Sequence, residues 1–224
     1  MNRITKLILF LSIVMFANNS MAHDIRTDST KIAQIVNEFC NWYVSSIKKC
    51  QNKCDSTNYY MPEFVKTKNG MTSLDFSEYI KNLKKYRFSD SLIMKEKETY
   101  SKCIENLKTI KFSDFGKTRF IDLGDYEEAC CDFGNRYRWI GGQEPIEGIR
   151  IQNIQFISID TVLVSIEYSE LSFDEDLNTE YTYYTKRGNK LILIKQNNDW
   201  YIDNIDSFEG ENCRKVVQII EEYK

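Results

Sequence analysis

Apolar residues recur at three- and four-residue steps through Ile32, Ile35, Val36, Phe39, Tyr43 and Ile47. That spacing predicts one helix with a single apolar stripe, wide enough to cover a sheet. Asp28 or Ser29 is placed to cap its start, and Lys48-Lys49 suits the negative end of its dipole. Trp42-Tyr43 adds large apolar area to it, read as core packing before a ligand-stacking lip. From 50 to 72 the period is lost at Cys50, Cys54, Asn58, Pro62, Asn69 and Gly70, which describes a polar connection. A second helix is expected from Ser73 or Asp75 to Lys85, with Leu74, Ile80 and Leu83 inward. A third follows a Ser89-Asp90 cap and runs to about Lys108. Its buried positions are Leu92, Ile93, Tyr100, Cys103, Ile104 and Leu107, and Glu96, Lys97, Glu98, Lys102 and Glu105 form its wet side.

The period then changes to two. Strands are expected from Gly148 to Ile157, from Thr161 to Ser169 and roughly from Glu180 to Thr185. Ile149, Ile151, Ile154 and Phe156 change face within the first of these, as a bulge would make them do. Val162, Val164, Ile166 and Tyr168 give the second a clear inward side, after a turn at Ser158-Ile159-Asp160. Lys190 to Gln196 and Trp200 to Ile205 flank Asn197-Asn198-Asp199, the pattern of a hairpin with a three-residue turn. Leu191 to Ile194 is apolar on both faces, which marks a central strand. In the last strand Trp200, Ile202 and Asn204 point one way, and Tyr201, Asp203 and Ile205 the other, so Asp203 is either solvated or aimed at a cavity mouth. A short helix, Asn212 to Tyr223, closes the chain. Helices first and antiparallel strands after them predict an α+β fold, with the N-terminal helices packed on one face of a bent antiparallel sheet.

The start of the chain has a different character. Arg3 and Lys6 precede an apolar run from Leu7 to Phe16, and Ser20-Met21-Ala22 offers small residues for cleavage. These are the parts of a secretory signal peptide over residues 1–22, leaving His23 as the mature end and residues 23–224 as one domain with a helical extension from about 209. No later stretch is long and apolar enough to cross a membrane, so no transmembrane anchor is expected after cleavage, and the location is periplasmic or secreted. Removal of the leader takes away two bases and no acid, moving the net charge from −3 to −5. A mildly acidic, well-mixed chain excludes nucleic acid as the expected partner.

Seven cysteines, Cys40, Cys50, Cys54, Cys103, Cys130, Cys131 and Cys213, all lie beyond the leader. In an oxidising compartment they are disulfide candidates, two or three bridges with at least one thiol left over. Their spacings match no zinc motif, and His23 is the one histidine. That single histidine leaves no Ser-His-Asp or Cys-His arrangement and no second ligand for a copper brace. No glycine-rich phosphate loop appears, so no cofactor and no metal are expected.

The helix ending in Phe39 and Trp42-Tyr43, the acidic loop Asp122-Leu123-Gly124-Asp125-Tyr126 and the closing strand Asn198 to Ile205 together resemble the nuclear transport factor 2-like, or cystatin-like, superfamily. More narrowly, the chain is similar to an exported bacterial family of that superfamily with no assigned activity. The resemblance implies a cone-shaped roll, a concave sheet wrapped over a long helix with a pocket at the open end.

Between Phe112 and Gly148 periodicity is lost, and a long irregular stretch in a compact domain is where a site is sought. Three functions compete for it. A binding module would grip a small ligand or a protein segment with Asp122, Asp125, Tyr126, Arg136, Tyr137, Arg138 and Trp139. The plain alternative is that Trp139 plugs the cone and the arginines pair with nearby acids. A carboxylate enzyme of the same roll would draw on Asp122, Asp125, Glu127 or Asp132 near Tyr126, Tyr137 and Trp139, although the spacing singles out no catalytic residue. An envelope immunity or inhibitor protein would need only a surface. A non-enzymatic binding or interaction protein is the expectation.

Overall fold

A computed structural model describes residues 3–50, 55–113, 138–139, 146–174, 179–185 and 187–207, with side chains from 26 to 49 in the first helix and outside 173–180 in the sheet. Helix α1 spans Arg3–Cys50 without a break. No glycine or proline occurs in its length, so nothing in the sequence stops it at the expected start near Asp28. Asp28 and Ser29 therefore lie inside the helix, and Asp28 accepts a hydrogen bond from Lys195 Nζ at 2.8 Å in place of capping. A hairpin follows, β1 (Glu63–Lys66) and β2 (Thr72–Asp75), closed by a turn with Gly70 at φ 84°. This corrects the reading of 50–72 as connection alone. The strands are four residues each, too short to impose a period, and their Phe64–Leu74 pair packs on Cys103 and Leu107.

Helix α2 (Ser77–Lys85) and helix α3 (Asp90–Thr99) come next, the latter capped by Ser89, whose Oγ accepts from Leu92 N–H at 3.0 Å. The expected third helix divides at Tyr100 into α3 and α4 (Ser101–Leu107). Thr99 Oγ1 donates to the Glu96 carbonyl at 2.7 Å, and this back-bonding weakens the helical ladder where it breaks.

Five strands form one antiparallel sheet: β3 (Gly148–Phe156), β4 (Thr161–Asp174), β5 (Thr179–Tyr184), β6 (Asn189–Gln196) and β7 (Asp199–Ser207). The order is β3-β4-β6-β7, with β5 also on β4, and it does not close into a barrel. β3 shifts register between Ile151 and Asn153, so Ile149, Ile151, Ile154 and Phe156 all pack on the core. β6 lies between β4 and β7, and Leu191, Ile192 and Leu193 are buried. β5 and β6 share one side of β4 in succession, separated at 185–188, where a Cβ on Gly188 would come within 1.8 Å of the Ile166 carbonyl oxygen. Only glycine fits that approach.

The β6–β7 turn has two residues, Asn197 and Asn198 at φ 52° and 66°, and Asp199 already pairs with Gln196. Successive positive φ values match the right-handed strand twist better than the three-residue turn expected. A second shift, between Ile192 and Leu193, leaves Asp203 as an extra residue in β7. Beyond it the alternation reverses, which is why Ile205, expected opposite Ile202, packs with it on the core.

The core joins the α1 stripe, Ile32 to Ile47, to Val162, Val164, Ile166 and Tyr168 of β4, to Leu191 and Leu193, and to Trp200 and Ile202, the last two wholly inaccessible. Trp42 is part of it, stacked on Tyr86 at 4.6 Å with its indole N–H donating to the Thr57 carbonyl at 2.9 Å. The free side of β7 is covered by residues 87–89. Ile202 N–H donates to Arg87 O at 2.7 Å, and Ser89 N–H donates to Ile202 O at 2.8 Å.

Candidate functional site

Of the seven residues expected to bind a ligand, Arg138 and Trp139 are described; Asp122, Asp125, Tyr126, Arg136 and Tyr137, with Glu127 and Asp132, lie outside the described residues, as does the C-terminal helix. Trp139 is buried in the core, its ring 5.1 Å from that of Phe88. Its backbone is held at both ends of the peptide unit: the N–H donates to Tyr43 Oη at 3.3 Å and the carbonyl accepts from Asn189 Nδ2. Beside it is a cavity lined by Cys40, Tyr43, Tyr168, Asn189 and several aliphatic side chains. Its free volume is about 10 Å³, room for roughly one water.

Arg138 leads to the second cluster. Its Nε donates to Glu96 Oε2 at 2.8 Å, and Tyr79 Oη donates to Glu96 Oε1 at 2.9 Å. Tyr100 reaches the same carboxylate. The Glu96 side chain is 1% exposed and that of Arg138 47%, so the pair has one wet end. Burial, with the Glu96 charge beside them, pushes both tyrosine hydroxyls far above their ordinary range. Burial works against the charge on Arg138, and Glu96 more than restores it. These phenols stay protonated at any physiological pH, so they donate hydrogen bonds and do not act as bases. Both oxygens of Glu96 are occupied, and the arrangement fastens residues 138–139 to the helices.

Glu96 was expected on the wet face of its helix, and here the structure corrects the sequence. The signal was present: Glu96 follows Leu92 by four and Ile93 by three, on the apolar stripe. Asp203 is corrected too, being buried and neither solvated nor at a mouth. Its Oδ1 accepts from Ser89 Oγ, tying β7 to the start of α3.

The cysteines divide. Cys40 is a free, buried thiol, pushed up to about 12 by burial, so it is no nucleophile at neutral pH. Cys103 is disulfide-bonded. Of the remaining five candidates Cys50 ends α1, and Cys54, Cys130, Cys131 and Cys213 lie outside the described residues. Among the described residues no cluster of His, Cys, Asp or Glu could hold a metal ion, and no helix is long and apolar enough to cross a membrane.

The residues that face outward are elsewhere. Leu171 on β4 and Tyr181, Tyr183 and Tyr184 on β5 are 49%, 49%, 40% and 48% exposed. Tyr181 and Tyr183 lie 6.1 Å apart on the face of Glu170, which accepts from Tyr183 Oη at 3.2 Å. Sequence reading placed a strand here and gave it no role. Its signal was three tyrosines in four residues with no aliphatic residue alternating between them.

No family model, curated protein or solved structure matches this chain.

Proposed function

We propose that the chain is an exported, periplasmic-type interaction protein built on a roll of the nuclear transport factor 2-like kind, released by cleavage after Ala22. The sheet would bend around α1 as a cone, a reading supported by the irregular pairing at Tyr168, whose carbonyl accepts from Thr185 N–H while its N–H donates to Arg187 O, and by the close approach of Gly188 to β4. The observation that carries the function is the exposed aromatic group on the β4–β5 arm, set against an interior filled by Trp139. Exposed large aromatics grouped on one element are the usual anchors of a protein interface. An envelope immunity or inhibitor role fits such a surface. Carboxylate catalysis would need an acid beside a space for substrate. Among the described residues Glu96 has both oxygens engaged and the cavity beside Trp139 holds about one water, while Asp122, Asp125, Glu127 and Asp132 lie outside them.

The test is photo-crosslinking in the native envelope, with a benzophenone amino acid at Tyr183 and, as control, at the exposed Glu98 of α3. A stoichiometric adduct from position 183 alone is expected. Equal labelling from both positions, or none, would remove the arm as an interaction surface.

A further inference from the structure

β5 pairs with β4 and has no second neighbour among the described strands. The phase of its ladder is set by Thr185 N–H, which donates to Tyr168 O at 2.8 Å. Antiparallel pairing alternates, so Tyr181 and Tyr183 turn their peptide groups toward β4, and Thr182 and Tyr184 turn theirs to the open edge. An open edge is a template for another strand.

Charge decides what kind of strand. Of the fifteen residues from Glu170 to Tyr184, five are acidic and none is basic. The arm already shows how it holds cations. Arg150 Cζ lies 4.1 Å from the Tyr184 ring centre while its Nη2 donates to Glu167 at 2.7 Å, and Arg187 pairs with Glu170 on the other face. Each is a guanidinium taken by a carboxylate beside a tyrosine, a favourable combination. A second copy of the chain would set one acidic arm against another, and like charges across strands are destabilising.

We propose that the open edge of β5 takes an extended, arginine- or lysine-rich protein segment as an added strand. Thr182 and Tyr184 supply the backbone hydrogen bonds, and Tyr181 and Tyr183 meet every second side chain of the guest. This rests on the interaction-protein reading above and names the chemistry of its partner.

The mature chain is titrated calorimetrically with a peptide of alternating arginine and valine, and with its glutamate–valine counterpart. Binding of the arginine peptide alone is expected, weakening by about tenfold when salt rises several-fold, because the attraction is screened. Thr182→Pro removes an outward N–H and leaves the ladder to β4 intact, so it should weaken binding by about tenfold. Tyr183→Ala, which leaves the backbone alone, should weaken it by about fivefold, and both variants are first checked for an unchanged far-UV spectrum. Equal binding of the two peptides, indifference to both variants, or no binding at all would overturn the proposal. So would a dimer in sedimentation that Thr182→Pro dissolves, since a second copy would then hold the edge. Crosslinking at position 183 separates the two levels. An adduct there with no peptide binding leaves the interaction reading standing and removes the cationic strand, and failure of both removes both.

Discussion

Strand β4 passes through two environments. Its first half puts Val162, Val164, Ile166 and Tyr168 under α1, none more than 3% exposed. Its second half carries Leu171 half-exposed and is paired with β5, whose Tyr181, Tyr183 and Tyr184 reach water. Before Ser169 the strand is paired on both edges, with β3 and β6, and beyond it with β5 alone, so the second half loses a neighbour in the sheet as well as the layer above it. Burial is conferred by a partner layer, so where α1 ends its cover the strand becomes surface. The arm has large side chains that the fold itself does not need, and that is the condition for a surface to serve something else.

The comparison breaks most directly at Trp200. It is wholly inaccessible, with its ring 6.2 Å from that of Phe156. Trp200→Ala should cost about 4 kcal/mol, from lost burial and the cavity left behind, measured by denaturant unfolding. A variant within about 1 kcal/mol of the parent would mean that the β6–β7 hairpin is not central to the architecture.

Next comes Glu96. Glu96→Ala removes the acceptor of Tyr79 Oη and the partner of Arg138 together. Breaking a buried pair on one side costs about 3 kcal/mol, and Glu96→Gln, which keeps an acceptor for Tyr79, should cost less. Equal stability of the Ala variant and the parent would detach Arg138-Trp139 from the helices. Trp139 would then have to be held by its packing and its hydrogen bonds to Tyr43 and Asn189.

These two sites differ in how far the sequence showed them. Trp200 was legible because period-two alternation and a turn signal agree over Leu191 to Ile202. The α1 stripe was legible because six apolar positions keep one period. Glu96 was not, because a charged residue on an apolar stripe is visible only when its partners are known, and Tyr79 and Arg138 are 17 and 42 residues away. Asp203 was missed for a related reason. A bulge inserts one residue and inverts the alternation after it, and its place is set by β6, not by β7's own residues. The β1–β2 hairpin is too short for a period. The arm's tyrosines were visible as residues, but their exposure depends on where α1 stops covering the sheet.

A smaller effect belongs to the ends of the buried half. Asp28, on α1, meets Lys195 of β6 at 2.8 Å, with side chains 19% and 22% exposed. Partial burial works against its ionisation, and the hydrogen bond and charge of Lys195 outweigh it, holding the carboxyl below its ordinary 3.8. A depressed folded-state value means that the unfolded chain binds the proton more readily. The contribution is therefore present above about pH 4 and is lost as pH falls through the lower folded value. Asp28→Asn should cost about 1 kcal/mol at neutral pH and flatten part of the acid-side slope of stability. An unchanged slope would show that α1 is fastened to β6 by packing alone.

The smallest expected effect on stability is also the most informative about the arm. Tyr181→Ala and Tyr183→Ala remove rings that are 49% and 40% exposed, with a 3.2 Å hydrogen bond from Tyr183 to Glu170 as the main loss. Surface changes of this kind shift stability by no more than about 0.5 kcal/mol, so the melting curve of the double variant should overlay the parent's. If it does, and binding of the arginine peptide is weakened, the tyrosines are there for a partner. A loss of about 2 kcal/mol would mean instead that the arm is held against some part of the fold, and the two halves of β4 would then be one environment after all.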